Sequence, residues 1–405
     1  MKRIITVFLY LIITLNFSNI AIAKSIMPDD DVVLLKSDKT DIVKRYRSII
    51  EKNPDNIDLI YQLSNTLLLK AKKENDTSLF GKIEAILVKN KKALVNDENL
   101  RIIYADVLQR RHAFNEAIKN IENIDTVQAN IMRALIFQNT GNYSEAENEC
   151  LKLNGKSPRI VSETCILHAR SFTGQLKESY FSLSKLLKYF NSTSNQYKSW
   201  SLTALAEMAS RLGELEKSEI LYRKSYQTNP NNHILAEWVD SLHKLDKQKE
   251  IQALLKDKHE DLRLKLRYIR SLKLTQDVGE QHVVKELNKH IALIELREDK
   301  IHYDARIEYY LWINRDVNKA YYWAKKNWLK YKTPVAAGFL LATSPHNIDE
   351  NLTTSVIEWR KSNNIEDINI DNLLLKKTTS YFNEIEFKPA AREINQYETW
   401  KAVQI

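Results

Sequence analysis

Apolar residues along this chain recur at three- and four-residue steps, the period of an amphipathic helix. Ile60, Leu63 and Leu67 mark one face of a helix predicted over Ile57–Lys72. A polar loop follows at Lys73–Thr77, then a second helix to about Lys92. Asp97–Arg110 and Phe114–Ile121 form the next predicted pair. The clearest stretch is Ser201–His233, which reads as two helices parted at Gly213 and stopped at Pro230. Leu215, Ser218, Tyr222 and Ser225 share one face of its second helix. Pro cannot continue a helix, and the residue before it is driven out of the helical region. Asn231, just after it, suits the cap of the next helix.

This stretch serves as a ruler for the rest. Gly141, Tyr143, Ala146, Cys150, Leu153 and Pro158 keep the same gaps as Gly213, Leu215, Ser218, Tyr222, Ser225 and Pro230. Gly174, Leu176, Ser179 and Leu183 fall in register in Arg159–Phe190. Tyr46, Ile49 and Pro54 repeat the end of the pattern in Asp41–Asn56. A polar insertion, Asn191–Gln196, precedes the ruler. His233–Leu255 follows the pattern more weakly, Leu262–Leu296 diverges, and Arg306–Leu329 recovers it in part. The small or apolar marker falls at Ala117, Ala146, Ser179, Ser218, Ile251 and Ala320, in steps of roughly 30–40 residues with one double step. Such a unit cannot bury its apolar face alone, so Tyr222 is expected between its own first helix and the next unit. Leu352–Lys361 and Ile368–Lys377 read as two further helices, with a short strand predicted near Ile385–Phe387.

Over roughly 40–335 the pattern resembles the tetratricopeptide repeat family, whose unit is a helix-turn-helix of about 34 residues. The expected large Trp and the Leu-Gly pair of the first helix are replaced by Ala204, Leu205 and Ala206. The resemblance implies an all-α, right-handed superhelical solenoid over 24–335, with capping helices and a tail over 336–405. It also implies a concave groove lined by first helices. Transferred by register, that groove presents Asp106, Gln109 and Arg110, then Leu135, Gln138 and Asn139. His168, Ser171 and Phe172 come next, then Trp200, Glu207 and Arg211. His233, Asp240, His243 and Lys244 follow, with Tyr309 and Trp312 near the far end. Aromatics beside mixed charge suit a protein or peptide partner, and Trp200 and Trp312 suit a core equally well.

Composition agrees with a helical chain. Its 405 residues include only 7 Gly and 7 Pro, too few for the tight turns of an all-β protein. The net charge of +9 is spread in short mixed runs, with no basic stripe interleaved with aromatics, so nucleic acid is not an expected partner. Lys2 and Arg3, the apolar run Ile4–Phe17 and Ala21-Ile22-Ala23 read as a secretory signal over 1–23. An uncleaved anchor is the rival reading, but the run is short and Asn16 and Asn19 interrupt it. No later run is long and apolar enough to span a membrane. The expected address is the exterior of the cytoplasm, in the periplasm of a two-membrane bacterium.

Candidate chemistry is sparse. Cys150 and Cys165 lie nearly equidistant from Pro158 across a predicted turn, so they are either a disulfide or two buried thiols. No Cys-x-x-Cys, H-E-x-x-H, Gly-rich phosphate loop or G-x-S-x-G occurs. His233, Asp240 and His243 share one helix face, a loose candidate for a transition metal. No cofactor is expected. The reading is an exported, non-enzymatic scaffold that binds a protein or peptide in its groove. The alternative is an accessory of an envelope transport or secretion system handling a metal or a polysaccharide.

Overall fold

A computed structural model describes residues 48–49, 56–74, 77–189, 194–258, 261–277, 280–296, 303–344 and 350–376. Residues 1–23, read as a secretory signal, nearly all of Asp41–Asn56, the residues around Ile385–Phe387 and the residues from 377 lie outside these. The chain divides into two compact units, 1–63 and 64–405, with the division inside the first helix, α1 (Ile57–Glu74). Within the first unit Asn56 Oδ1 accepts from the Leu59 amide at 3.1 Å and starts that helix. Everything that follows concerns 64–405.

The described residues are helical, with no strand among them. After α2 (Thr77–Lys89) and the short α3 (Lys91–Asn96), helices come in pairs joined by tight turns. The pairs are α4 (Glu98–Arg110) with α5 (Phe114–Ile121), and α6 (Val127–Thr140) with α7 (Tyr143–Leu151). Then come α8 (Arg159–Arg170) with α9 (Leu176–Leu187), and α10 (Asn195–Arg211) with α11 (Leu215–Thr228). Next are α12 (Asn232–Lys244) with α13 (Gln248–Leu255), and α14 (Leu262–Leu274) with α15 (Glu280–Leu296). The last first helix, α16 (Tyr303–Glu308), continues as a π-helical stretch, Tyr309–Asn314, before α17 (Val317–Lys330). The divergent Leu262–Leu296 is thus one more pair of the same kind.

The turns share one construction. A residue with left-handed backbone ends each first helix: His112, Gly141, Gly174, Gly213, Asp246, Gln276 and Arg315, roughly 30–40 residues apart. At Gly141 its amide donates to Gln138 O at 3.2 Å, and the next amide, Asn142, reaches back to Phe137 O at 2.8 Å. The same two bonds recur at His112, Gly213, Asp246 and Gln276. They satisfy the last carbonyls of the helix and reverse the chain. Four first helices open on side-chain caps of this kind: Asp97 accepts from Leu100 N, Thr126 from Ala129 N, Ser194 from Tyr197 N and Asn231 from Ile234 N.

The markers read from the sequence sit where helices touch. Ala117, Ala146, Ser179, Ser218, Ile251 and Ala320 are all buried. Ser218 Oγ donates to Ala206 O at 2.8 Å, bonding the two helices of its pair directly. Tyr222 packs with Ala206 of its own pair and with Leu235 and Trp238 of the next. Cys150 and Cys165 are bonded across the α7–α8 turn, with Cα atoms 5.3 Å apart.

The C-terminal segment does more than cover the last pair. α18 (Pro334–Thr343) packs on α17 as a cap does, and its Ala336, Ala337 and Leu340 are buried there. The chain also returns along the turn edge of earlier pairs, in order. Tyr331 meets His112 edge-to-face at 5.2 Å. The Lys332 amide donates to Asn139 O at 3.0 Å, and its carbonyl accepts from Tyr143 Oη at 2.7 Å. α19 (Glu350–Ser362) and the helical residues 368–376 continue the run. Glu366 Oε2 accepts from the Leu176 amide at 2.8 Å, and Asn369 Nδ2 donates to Ser210 O at 3.2 Å. Residues 331–344 and 350–369 run as a strap across the turns at 112, 141, 174 and 213, so the end of α17 lies against the α4–α5 turn.

Candidate binding recess

The first helices turn a row of charged groups toward one another. Glu207 of α10 accepts from the His168 ring of α8, Nε2 to Oε2 at 2.9 Å. On α12, His233 Nδ1 lies 4.0 Å from Glu237 Oε1, and Arg263 Nη1 of α14 stands 3.5 Å from the same ring nitrogen. Arg267, one turn further on α14, donates to both Glu308 oxygens, at 3.1 and 3.2 Å, and to Asp240 Oδ2.

These groups are accessible and yet poorly hydrated. His233 keeps 63% of its side chain open to water, and Glu207 and Glu237 keep 37% each. Burial is nonetheless the largest influence on all three. Burial, with Arg263, Arg110 and Arg267, lowers His233 to about 4. Burial and the Asp240 charge raise Glu237 to about 7. For Glu207 burial opposes ionisation, but His168, Arg211 and His233 outweigh it and hold the carboxyl at about 2. Part-exposed side chains of α8, α10, α12 and α14 that pair across helices outline a shared recess. The Arg110 charge of α4 also acts on His233 of α12.

The groove residues expected from the sequence divide into three sets. Glu207, His168, His233 and Asp240 line the recess, with Arg110 at its α4 side. Gln109, Asn139, Trp200 and Lys244 are half-buried. Trp200 packs beside the Cys150–Cys165 cluster, and Lys244 donates to Ser210 Oγ at 2.7 Å. The third set is corrected, because its members are core. Gln138, Phe172, Arg211, His243, Tyr309 and Trp312 are buried, as is Asp106, which pairs with Lys72 and Arg110. Phe172 stacks on Tyr143 at 4.8 Å and carries Arg211 on its other side at 4.1 Å, all under the strap. Tyr309 Oη is held by Asn288 Oδ1. His233, Asp240 and His243 do not converge: Asp240 is taken by Arg267, and His243 Nε2 lies 3.2 Å from Arg267 O. No group of three His, Cys, Asp or Glu suited to a metal occurs among the described residues.

Register transfer missed Glu237 and Arg263 of the recess, and the buried Arg267, Arg270 and Glu308 that continue the charged row. The three arginines recur at helical spacing on α14, which is the signal that marks them as one face. They lie in the divergent pair, where no matched turn fixed the register. No protein-family model matches the chain, and no curated protein matches it either. Among the described residues no helix is long and apolar enough to cross a membrane.

Proposed function

We propose that the chain is an exported, non-enzymatic scaffold of tetratricopeptide-like repeats, wound as a right-handed solenoid. Its recess receives an extended segment of a protein or peptide partner. The observation that carries this reading is the row of part-exposed charged side chains, Glu207, His233, Glu237 and Arg263, that first helices bring together. Charge complementarity in such a place selects a partner more sharply than the same charges on a convex face. The groups pair with one another across helices, as a recognition surface does. None stands beside a nucleophile that it activates.

The Cys150–Cys165 bond supports export, because such bonds persist in oxidising compartments. The address proposed is the periplasm of a two-membrane bacterium, with Lys24 as first mature residue. The intact mass of the protein recovered from the envelope tests this, and retention of residues 1–23 refutes it.

The binding reading is tested with a photo-crosslinking residue placed at Glu237 or at the exposed Lys217 of α11. In intact cells the recess position is expected to give a discrete, protease-sensitive adduct that the Lys217 position lacks. Identical adduct patterns at both sites, or a glycan adduct at Glu237, overturn it.

A further inference from the structure

Arg270 is the one member of the α14 arginine row that the protein leaves unbonded. Arg263 stands by His233, and Arg267 holds Asp240 and Glu308. Arg270 is only 6% exposed, and its guanidinium lies flat on the Trp312 indole, 3.8 Å from the ring centre. Its Nε is sealed from water with no acceptor, whereas its two terminal nitrogens are not sealed. Burial lowers its pKa to about 10, so it remains a cation at neutral pH. Asp240 and Glu308 favour that charge from a distance, but both are hydrogen-bonded to Arg267. Trp312 Nε1 on the ring beneath it, and Asp240 Oδ1 on the carboxyl whose charge acts on it, are likewise buried without a partner.

A buried guanidinium without an acceptor lowers stability, and a fold retains one where it has another use. Stacking on an indole leaves the planar edge of the guanidinium free, the geometry that grips a carboxylate with two bonds. The π-helical stretch that carries Trp312 is itself a costly local departure of the kind found at functional sites. The unfilled acceptor matters as much as the donors. A bare anion satisfies Arg270 but not Asp240 Oδ1, whereas a peptide carboxylate brings oxygens for one and an adjacent N–H for the other.

We propose that Arg270, on Trp312, is the receptor for a peptide carboxylate, with Asp240 taking an N–H beside it. This deepens the proposed peptide recess and rests on it for the identity of the ligand. The carboxylate comes from an acidic side chain or from a chain terminus.

The probes are acetyl-glutamic acid amide for the side chain, acetyl-glycine for the terminus, acetyl-glycinamide as the uncharged control, and inorganic phosphate. Binding is read from the Nε–Hε resonance of Arg270, assigned by its loss in Arg270→Met. At least one of the two peptide carboxylates is expected to shift it saturably. The control should not, and phosphate should bind at least tenfold more weakly. Arg270→Lys keeps charge but not the fork, and is expected to bind at least tenfold more weakly than the wild type. Arg270→Met should melt at or above the wild-type temperature, because it removes an uncompensated charge. No saturable shift with either carboxylate overturns the proposal, as does phosphate binding equally well, which marks an adventitious ion only. A large fall in the melting temperature of Arg270→Met overturns it too, since Arg270 is then structural. Saturable binding here without crosslinking at Glu237 leaves the anion receptor standing and removes the scaffold reading. Crosslinking without the shift does the reverse.

Discussion

Glu237 carries a consequence that can be measured on its own. Its carboxyl is raised to about 7 by burial and by Asp240, against about 4.5 for an unperturbed Glu. Between those values the folded protein binds more protons at this site than the unfolded chain does. The group therefore lowers stability as pH rises from 4.5 through 7, and the loss is complete above 7. His233 acts in the opposite sense, because its depressed pKa of about 4 makes stability rise between 4 and 6.5. The difference between wild type and Glu237→Gln isolates the carboxyl. The variant should melt higher at pH 8 and lose that advantage by pH 4.5, and parallel melting curves across the range would remove the shift. Tyr222 is a simpler case. It is packed between two pairs, and Tyr222→Ala should cost about 3–5 kcal/mol in denaturant unfolding, the range for a deleted buried aromatic.

At the scale of the element, the turns explain what could be read in advance. Gly141, Gly174 and Gly213 announce themselves because glycine enters the left-handed region freely. His112 and Asp246 do the same work with side chains that tolerate that region, and Gln276 and Arg315 do it with side chains that do not favour it. No composition signal marks those four, and three of them lie in the pairs from His233 onward, where the pattern is weakest. Helix existence and the buried small markers were legible, because both follow from local period. Groove membership was not, because it depends on how far each pair rotates against the last. The strap was invisible for the same reason: nothing local in Trp359 or Ile368 shows that it meets a glycine some two hundred or one hundred and fifty residues earlier. Two glycines test the strap. Gly141 and Gly155 both have positive φ, so alanine costs each roughly 1–2 kcal/mol in backbone strain. A Cβ at Gly155 meets nothing within 4 Å, but at Gly141 it falls 2.6 Å from the Lys332 Cβ. Gly141→Ala should therefore be the more destabilising by about 1–3 kcal/mol, the scale of overpacking. The disulfide belongs to this scale too. Its residues are 15 apart in sequence, and reduction should cost about 3 kcal/mol.

For the unit 64–405 as a whole, the strap decides whether the array is open or closed. A simple stack of helix pairs depends only on neighbours, so loss of its last members trims stability gradually. Here Val356, Trp359, Ile365 and Ile370 are buried in a cluster that also contains Tyr143 and Phe172 of the second and third pairs. Each such side chain is worth about 1.5–3 kcal/mol when buried, against a total stability of roughly 5–15 kcal/mol for a domain. Trp328 Nε1 donates to Ser355 Oγ at 2.9 Å, so the last pair is tied to the strap as well. Ending the chain after Ser344 should thus destabilise pairs on both sides of the missing contact at once. Hydrogen exchange should speed up at the turns around Gly141, Gly174 and Gly213, and at α17, while α13 and α15 change least. Loss of protection confined to α17 and α18 would mean that the strap is an appendage and that the array behaves as an open stack.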